Sequence, residues 1–261
     1  MRYARVIVAG NTWTGVQHPD GIVLEDGRIF REAEVSWLPP VAPRTIIAVG
    51  LNYADHAKEL AFQPQGAPLV FLKGPRSVAG HRAATERPRD ATYMHYECEL
   101  AVVIGRTAKA VPAAQALDYV GGYMVANDYA VRDYLENYYR PNLRPKNRDG
   151  ATLLGPWLVP ASEVPDPQAL EIRTLVNGKV TQVGHTRDMI HSVARLIEYL
   201  SAFMTLSPDD VILTGTPDGI CNVVAGDEVI TEIVGVGRLC NFLVDGPSNP
   251  AFGADFQREV S

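Results

Sequence analysis

Two carboxylates stand one residue apart in His95-Tyr96-Glu97-Cys98-Glu99-Leu100-Ala101-Val102-Val103-Ile104. Successive side chains of a strand point to opposite faces. A strand here puts Tyr96, Cys98, Leu100 and Val102 on one apolar face, and Glu97 and Glu99 together on the other. Like charges side by side on a sheet face are destabilising. The pair suits either a solvated edge strand or a strand that presents both oxygens to a cation. Asp128 follows the short apolar run Met124-Val125-Ala126 and offers a third carboxylate. Three carboxylates, completed by water or substrate oxygens, suit a hard cation such as Mg²⁺ or Mn²⁺. The Glu-x-Glu spacing alone leaves both readings open.

Other residue types point to proton transfer and anion binding. His56 and Glu59 are three apart, so on a helix they lie on one face about 5–6 Å from each other. A carboxylate there can orient an imidazole and raise its basicity; the plainer alternative is a solvated helix face. Residues 132–148 hold Arg132, Arg140, Arg144, Lys146 and Arg148 against Asp133 and Glu136. Such a cluster in an acidic chain can draw in a multiply charged anion, or serve solubility or a subunit contact. Thr214-Gly215-Thr216-Pro217 follows an apolar strand and can expose hydroxyls and backbone N–H groups, or be a plain turn. Lys73, at the end of Leu69-Val70-Phe71-Leu72, has no assigned role.

The elements that would carry these residues are mostly strands. Val6–Val8, Gly21–Leu24 and Arg28–Phe30 read as short strands, with a hairpin signal at Asp26-Gly27. Thr45–Val49, Leu69–Leu72, Tyr96–Ile104, Tyr123–Ala126, Leu170–Val176, Val211–Leu213, Glu228–Val234 and Arg238–Val244 follow. Asn177-Gly178 and Gly235-Val236-Gly237 supply turns. Helices are expected over Tyr53–Leu60, Pro112–Tyr119 and Val131–Tyr139. Another is expected over Met189–Leu206, where apolar residues recur at three- and four-residue steps. Strands outnumber helices without alternating with them, which favours an α+β, mainly β architecture over a Rossmann sheet. The run Leu38-Pro39-Pro40-Val41-Ala42-Pro43 suggests a stiff connector. It divides residues 1–43, a small N-terminal β appendage and linker, from a main domain over 44–246. A polar, Pro- and Gly-containing tail over 247–261 is expected to be poorly ordered.

Composition removes several classes. The 261 residues hold 24 Lys and Arg against 30 Asp and Glu, a net charge of -6. This disfavours nucleic acid as a partner, since its phosphates need a basic surface. No apolar run is long enough for a membrane-spanning helix, and the N-terminal apolar stretch is too short for a signal peptide. Cys98, Cys221 and Cys240 show no CxxC spacing, which disfavours a disulfide framework or thiolate zinc site. A cytoplasmic, reducing setting is expected.

Several motifs occur in a fixed order. Ile47-Ala48-Val49-Gly50-Leu51-Asn52-Tyr53-Ala54-Asp55-His56-Ala57-Lys58-Glu59 comes first, then Tyr96-Glu97-Cys98-Glu99-Leu100. Ala126-Asn127-Asp128 with Arg132-Asp133 and Thr214-Gly215-Thr216-Pro217-Asp218-Gly219 follow. From about Thr45 to Val244 the chain resembles the fumarylacetoacetate hydrolase superfamily. Within it, Tyr138-Tyr139-Arg140-Pro141-Asn142-Leu143-Arg144-Pro145-Lys146-Asn147-Arg148-Asp149-Gly150 resembles the C-terminal unit of the isomerase/decarboxylase branch of homoprotocatechuate (4-hydroxyphenylacetate) breakdown. There, two related units can be fused in one chain. The resemblance implies the superfamily's β-rich fold, a divalent metal, Mg²⁺ or Mn²⁺, and a 2-oxo or 2-hydroxy-dienoic di- or tricarboxylate substrate. It implies Glu97, Glu99 and Asp128 as metal ligands, and His56 with Glu59 as an acid/base dyad on a lid. It also implies Lys146 and Arg132 against a substrate carboxylate or oxyanion, and Thr216 as a hydrogen-bond donor to substrate. A homodimer, or pairing with a related subunit, is expected. One departure is Arg148, where superfamily members often carry an aromatic residue before the acid that matches Asp149.

The implied chemistry is coherent. A 2-oxo acid can chelate a divalent ion through its carboxylate and keto oxygens, and the ion then serves as a Lewis acid for an enolate. Loss of CO₂ and a proton shift along a conjugated chain lead to the same dienolate, so one site can serve both reactions, with an acid/base to move the proton. An acylpyruvate-type C–C hydrolase would use the same residues plus an activated water. A catalytically silent metal-binding partner subunit is the remaining alternative.

Overall fold

The computed structural model describes residues 1–54, 66–135 and 142–247. Among them strands dominate, as the residue patterning implies. Two sheets and one long helix build the core. From edge to edge the large sheet runs Ile29–Phe30, Gly21–Leu24, Asn11–His18, Tyr3–Val8, Thr152–Pro160, Val120–Asp128, Cys98–Ile104, Val211–Leu213, Ile46–Gly50 and Leu69–Lys73. Ser36–Leu38 pairs beside Tyr3–Val8, and Val78–Ala79 runs parallel beside Thr152–Pro160. The first strand joins the sheet through Tyr3 opposite Leu158. The smaller sheet runs Lys179–His185, Glu171–Val176, Glu228–Ile233, Gly237–Asp245 and Ala84–Arg87.

Cys98–Ile104 is the strand that positions the site. It is paired on both edges, to Val120–Asp128 and to Val211–Leu213, and every residue of it is buried. Cys98, Leu100, Val102 and Ile104 enter the main core. Ala101 and Val103 enter a second apolar cluster with Ile46, Ala48, Met124, Ala126, Val211 and Leu213. Glu99 within this strand and Glu97 just before it are both buried. The solvated edge reading of Glu97 and Glu99 is thereby excluded.

The turns follow their chemistry. Asn177 and Gly178 take φ of 50° and 77°, the left-handed pair that a tight hairpin needs. The helix Val193–Phe203 starts after Ser192, whose side chain accepts the Arg195 N–H at 3.3 Å. A cap of this kind contributes about 1 kcal/mol. Val193, Leu196, Ile197 and Leu200 form its buried face.

The structure departs from patterning in several places, beginning with the helix expected over Met189–Leu206, which spans only Val193–Phe203. Pro112–Tyr119 is not an α-helix: residues Ala113–Tyr119 form 3₁₀ turns. Val131 belongs to a two-residue ladder with Met94, and Arg132–Tyr134 is a 3₁₀ turn. Tertiary bonds override the helical pattern there, since the Arg132 N–H donates to Tyr93 O and Asp133 accepts the Thr92 and Tyr93 N–H groups. Thr152–Pro160 is a strand that patterning does not reveal, because Gly155-Pro156 punctuates it as a turn would. The strand itself bulges there: Tyr123 lies opposite Val159 and Val125 opposite Gly155, so residues 156–158 face Met124 alone and the proline drops out of the regular ladder. Most of the Tyr53–Leu60 helix, the C-terminal part of Val131–Tyr139 and all but the first residue of the 247–261 tail lie outside the described residues.

Candidate active site and metal centre

Register brings the three carboxylates together. Cys98 lies opposite Asn127 and Glu99 opposite Ala126. One step further the Asp128 N–H donates to Glu97 O at 2.9 Å. Asp128 shares the parity of Met124 and Ala126, and therefore the face of Glu99. The ligand oxygens of Glu97, Glu99 and Asp128 all lie within 4.8 Å of one another, and all three residues are buried. Two asparagine and glycine contacts fix this geometry. The Glu97 N–H donates to Asn127 Oδ1 at 3.0 Å, and the Gly215 N–H donates to Glu99 Oε2 at 2.6 Å.

Three buried carboxylates cannot stay charged without cations. Burial first, then the neighbouring Asp128 and Glu97 charges, push the Glu99 carboxyl well above the usual carboxylate range. Lys146 Nζ partly answers this demand, at 2.5 Å from Glu97 Oε2 and 2.9 Å from Asp128 Oδ2. Burial lowers its pKa, but Asp128, Glu97 and Glu99 outweigh that and hold it raised. Lys73 Nζ bonds Asp128 Oδ1 and Lys146 O. Fully enclosed, it is lowered by burial against the pull of Asp128. Lys73 comes from the edge strand Leu69–Lys73, four places along the sheet from Asp128. Its contact shows that the sheet curls over this face. Arg132 Nη2 approaches Glu97 Oε1 at 3.4 Å, and His95 Nε2 lies 3.8 Å from the same oxygen. The donor set is all carboxylate oxygen, on one face and closely spaced, and so fits a hard divalent cation.

Thr216 is buried immediately after Gly215, whose N–H holds Glu99. Asn52 anchors this turn: its Nδ2 donates to Thr214 O at 2.8 Å and to His191 O at 3.0 Å. Tyr53 next to it is buried with no hydrogen-bond partner for its hydroxyl among the described residues, and burial followed by the Glu99 charge pushes the pKa of that hydroxyl upward.

Of the residues singled out by sequence, Glu97, Glu99, Asp128, Lys146, Arg132 and the Gly215-Thr216 turn converge. His56 and Glu59 lie outside the described residues, as does Arg140. Arg144 stacks over the Tyr134 ring at 4.0 Å. Arg148 is half-buried beside Tyr134, with its Nε enclosed and without a hydrogen-bond partner among the described residues. Patterning gave Lys73 no role; a lysine closing an apolar run was the only signal. It did not single out Gln182, which bonds Thr216 from the smaller sheet.

Comparison with known proteins places this architecture. Residues 45–244 match the family described as fumarylacetoacetate (FAA) hydrolase C-terminal. A 4-hydroxyphenylacetate degradation bifunctional isomerase/decarboxylase of Salmonella dublin is 53% identical over 240 residues, 92% of this chain and 55% of the relative. The chain thus spans about half the length of that curated relative. A 5-carboxymethyl-2-hydroxymuconate delta-isomerase from Mycobacterium smegmatis superposes with a TM-score of 0.83 at 38% identity, covering 94% of this chain and 99% of that one. A fumarylpyruvate hydrolase from Pseudomonas aeruginosa, solved in complex with Mn²⁺ and pyruvate, gives 0.74 at 34% identity over 80% of this chain and 91% of that one.

Proposed function

Because this chain belongs to the fumarylacetoacetate hydrolase C-terminal family, we propose that it is a divalent-metal-dependent isomerase/decarboxylase. Its substrates are 2-oxo or 2-hydroxy-dienoic di- and tricarboxylates of 4-hydroxyphenylacetate (homoprotocatechuate) breakdown. The reactions are decarboxylation of 5-oxopent-3-ene-1,2,5-tricarboxylate and isomerisation of 2-hydroxyhepta-2,4-diene-1,7-dioate. The observation that carries this reading is the buried Glu97–Glu99–Asp128 triad with Lys146 set against it.

Glu97, Glu99 and Asp128 would hold Mg²⁺ or Mn²⁺, which supplies Lewis acidity toward a 2-oxo acid. The remaining work falls to the chain. Lys146 offers a buried ammonium to the oxygen on which enolate charge develops. Arg132, part-exposed beside Glu97, meets a remote carboxylate. Thr216 donates to a substrate oxygen. His56, oriented by Glu59, moves the proton that follows loss of CO₂ or accompanies the double-bond shift. A homodimer, or pairing with a related unit, belongs to the same proposal.

The hydrolase of the comparison set supports a second reading, acylpyruvate cleavage on the same triad. One assay separates them. The purified chain with Mg²⁺ is given the unsaturated 2-oxo tricarboxylate and, separately, an acylpyruvate, with CO₂ release and ultraviolet absorbance followed. CO₂ release with poor acylpyruvate cleavage is expected. Efficient cleavage with neither CO₂ release nor isomerisation would move the assignment to the hydrolase, and no turnover of either substrate would favour the silent subunit.

A further inference from the structure

Gln182 lies on the strand Lys179–His185 of the smaller sheet, outside the motifs that carry the family likeness, and is buried. Its Nε2 donates to Pro217 O at 2.8 Å and to Thr216 Oγ1 at 2.9 Å. Its Oε1 accepts from Thr174 Oγ1 at 2.8 Å. The assignment of the amide is forced. A carbonyl only accepts, so Pro217 O requires the NH₂ side of Gln182. The second N–H of that group then faces Thr216, whose oxygen accepts it. The Thr216 proton cannot point back at Gln182, and Thr216 makes no other hydrogen bond among the described residues. Packing leaves little slack, since a Cβ on Gly184 would stand 2.5 Å from Pro217 Cβ.

We propose that Gln182 is a positioning residue that fixes the Thr216 hydroxyl as a donor facing the ligand, so that the site favours an anionic oxygen over a donor group at that point. This rests on the reading that Thr216 meets a substrate oxygen. Without the Gln182 N–H, the hydroxyl rotates freely and offers lone pairs to a carboxylate as readily as its proton.

The test is a cycle with Gln182→Met, Thr216→Val and the double variant, with Thr216→Ser as the conservative control. Oxalate, a planar mimic of a 2-oxo acid, is titrated calorimetrically in the presence of Mg²⁺, and KM and kcat are measured with the tricarboxylate. Each of Gln182→Met and Thr216→Val is expected to weaken oxalate about tenfold, the scale of one hydrogen bond to a charged group, and to raise KM more than it lowers kcat. The double variant should bind no worse than Thr216→Val, and Thr216→Ser should retain the Gln182 dependence. If Gln182→Met does not fold, Gln182→Glu carries the same test, since its carboxylate supplies no N–H. Full oxalate affinity in Thr216→Val would overturn the reading of Thr216 and the inference with it. Weakening by Thr216→Val but not by Gln182→Met, or an equal Gln182 effect in both backgrounds, would overturn the inference alone.

Discussion

Lys146 Nζ stands 2.5 Å from Glu97 Oε2, so an ammonium faces the carboxylates where a divalent ion would take its ligands. The two cations compete for the oxygens of Glu97 and Asp128. Lys146→Met is expected to tighten Mn²⁺ binding by about tenfold or more, because a short-range charge term in a protein is worth several kcal/mol. The same variant should lose turnover. Calorimetric titration reads the first effect and CO₂ release the second; weaker Mn²⁺ binding would show instead that Lys146 organises the ligands.

Glu99→Gln keeps an acceptor for the Gly215 N–H and removes the charge that burial, Asp128 and Glu97 oppose. Its metal-free Tm should rise by a few degrees. In the unaltered chain, Mg²⁺ at a hundred times its Kd should stabilise the fold by about 2.7 kcal/mol, and this gain should vanish in the variant. Thermal melts with Mg²⁺ and with EDTA measure both, and a metal-dependent Tm rise in Glu99→Gln would argue against the triad.

Arg132 touches Glu97 at 3.4 Å and is part-exposed. Arg132→Met should raise KM for the tricarboxylate about tenfold, consistent with loss of one charged contact, and should affect an analogue without the remote carboxylate much less. Equal effects on both would reduce Arg132 to a neighbour that steadies Glu97.

Away from the site, Glu32 Oε2 lies 3.7 Å from His81 Nε2. The His81 contact holds the Glu32 carboxyl below the usual range. His81 Nδ1 accepts the Cys240 N–H at 3.1 Å, which leaves the ring proton on Nε2. A depressed carboxyl stabilises the fold above its unfolded pKa of about 4.5, and that contribution is lost as pH falls through the folded value. Glu32→Gln should therefore lower stability slightly at pH 7, by under about 1 kcal/mol for so exposed a group. At a pH below that folded value, with both states protonated, the two proteins should melt together. A difference that persists there would assign the effect to packing.

Much of this was legible in the residues. The alternation of Tyr96–Ile104 gave both the strand and the shared face of Glu97 and Glu99, because period two is read directly from identity. The turns Asp26-Gly27 and Asn177-Gly178 were legible for the same local reason. What stayed hidden depends on distance along the chain. Lys73 reaches Asp128 only because the sheet curls, and no local pattern encodes that curvature. Gln182, on the smaller sheet, meets Thr216 in the turn that follows Val211–Leu213. Thr152–Pro160 was hidden by Gly155-Pro156, a turn signal that a bulge in the strand itself absorbs.

The strand Cys98–Ile104 has neighbours on both edges and a core against both faces. For evolution or an engineer, it is a fixed chassis. Any change of volume along it disturbs one apolar cluster or the other at a typical cost of about 1–3 kcal/mol, so new specificity has no neutral route through the strand itself. It must enter from the segments at the strand ends, where Arg132, Arg148 and Thr216 sit. A library aimed at new specificity would spend its diversity there and leave the seven strand residues untouched.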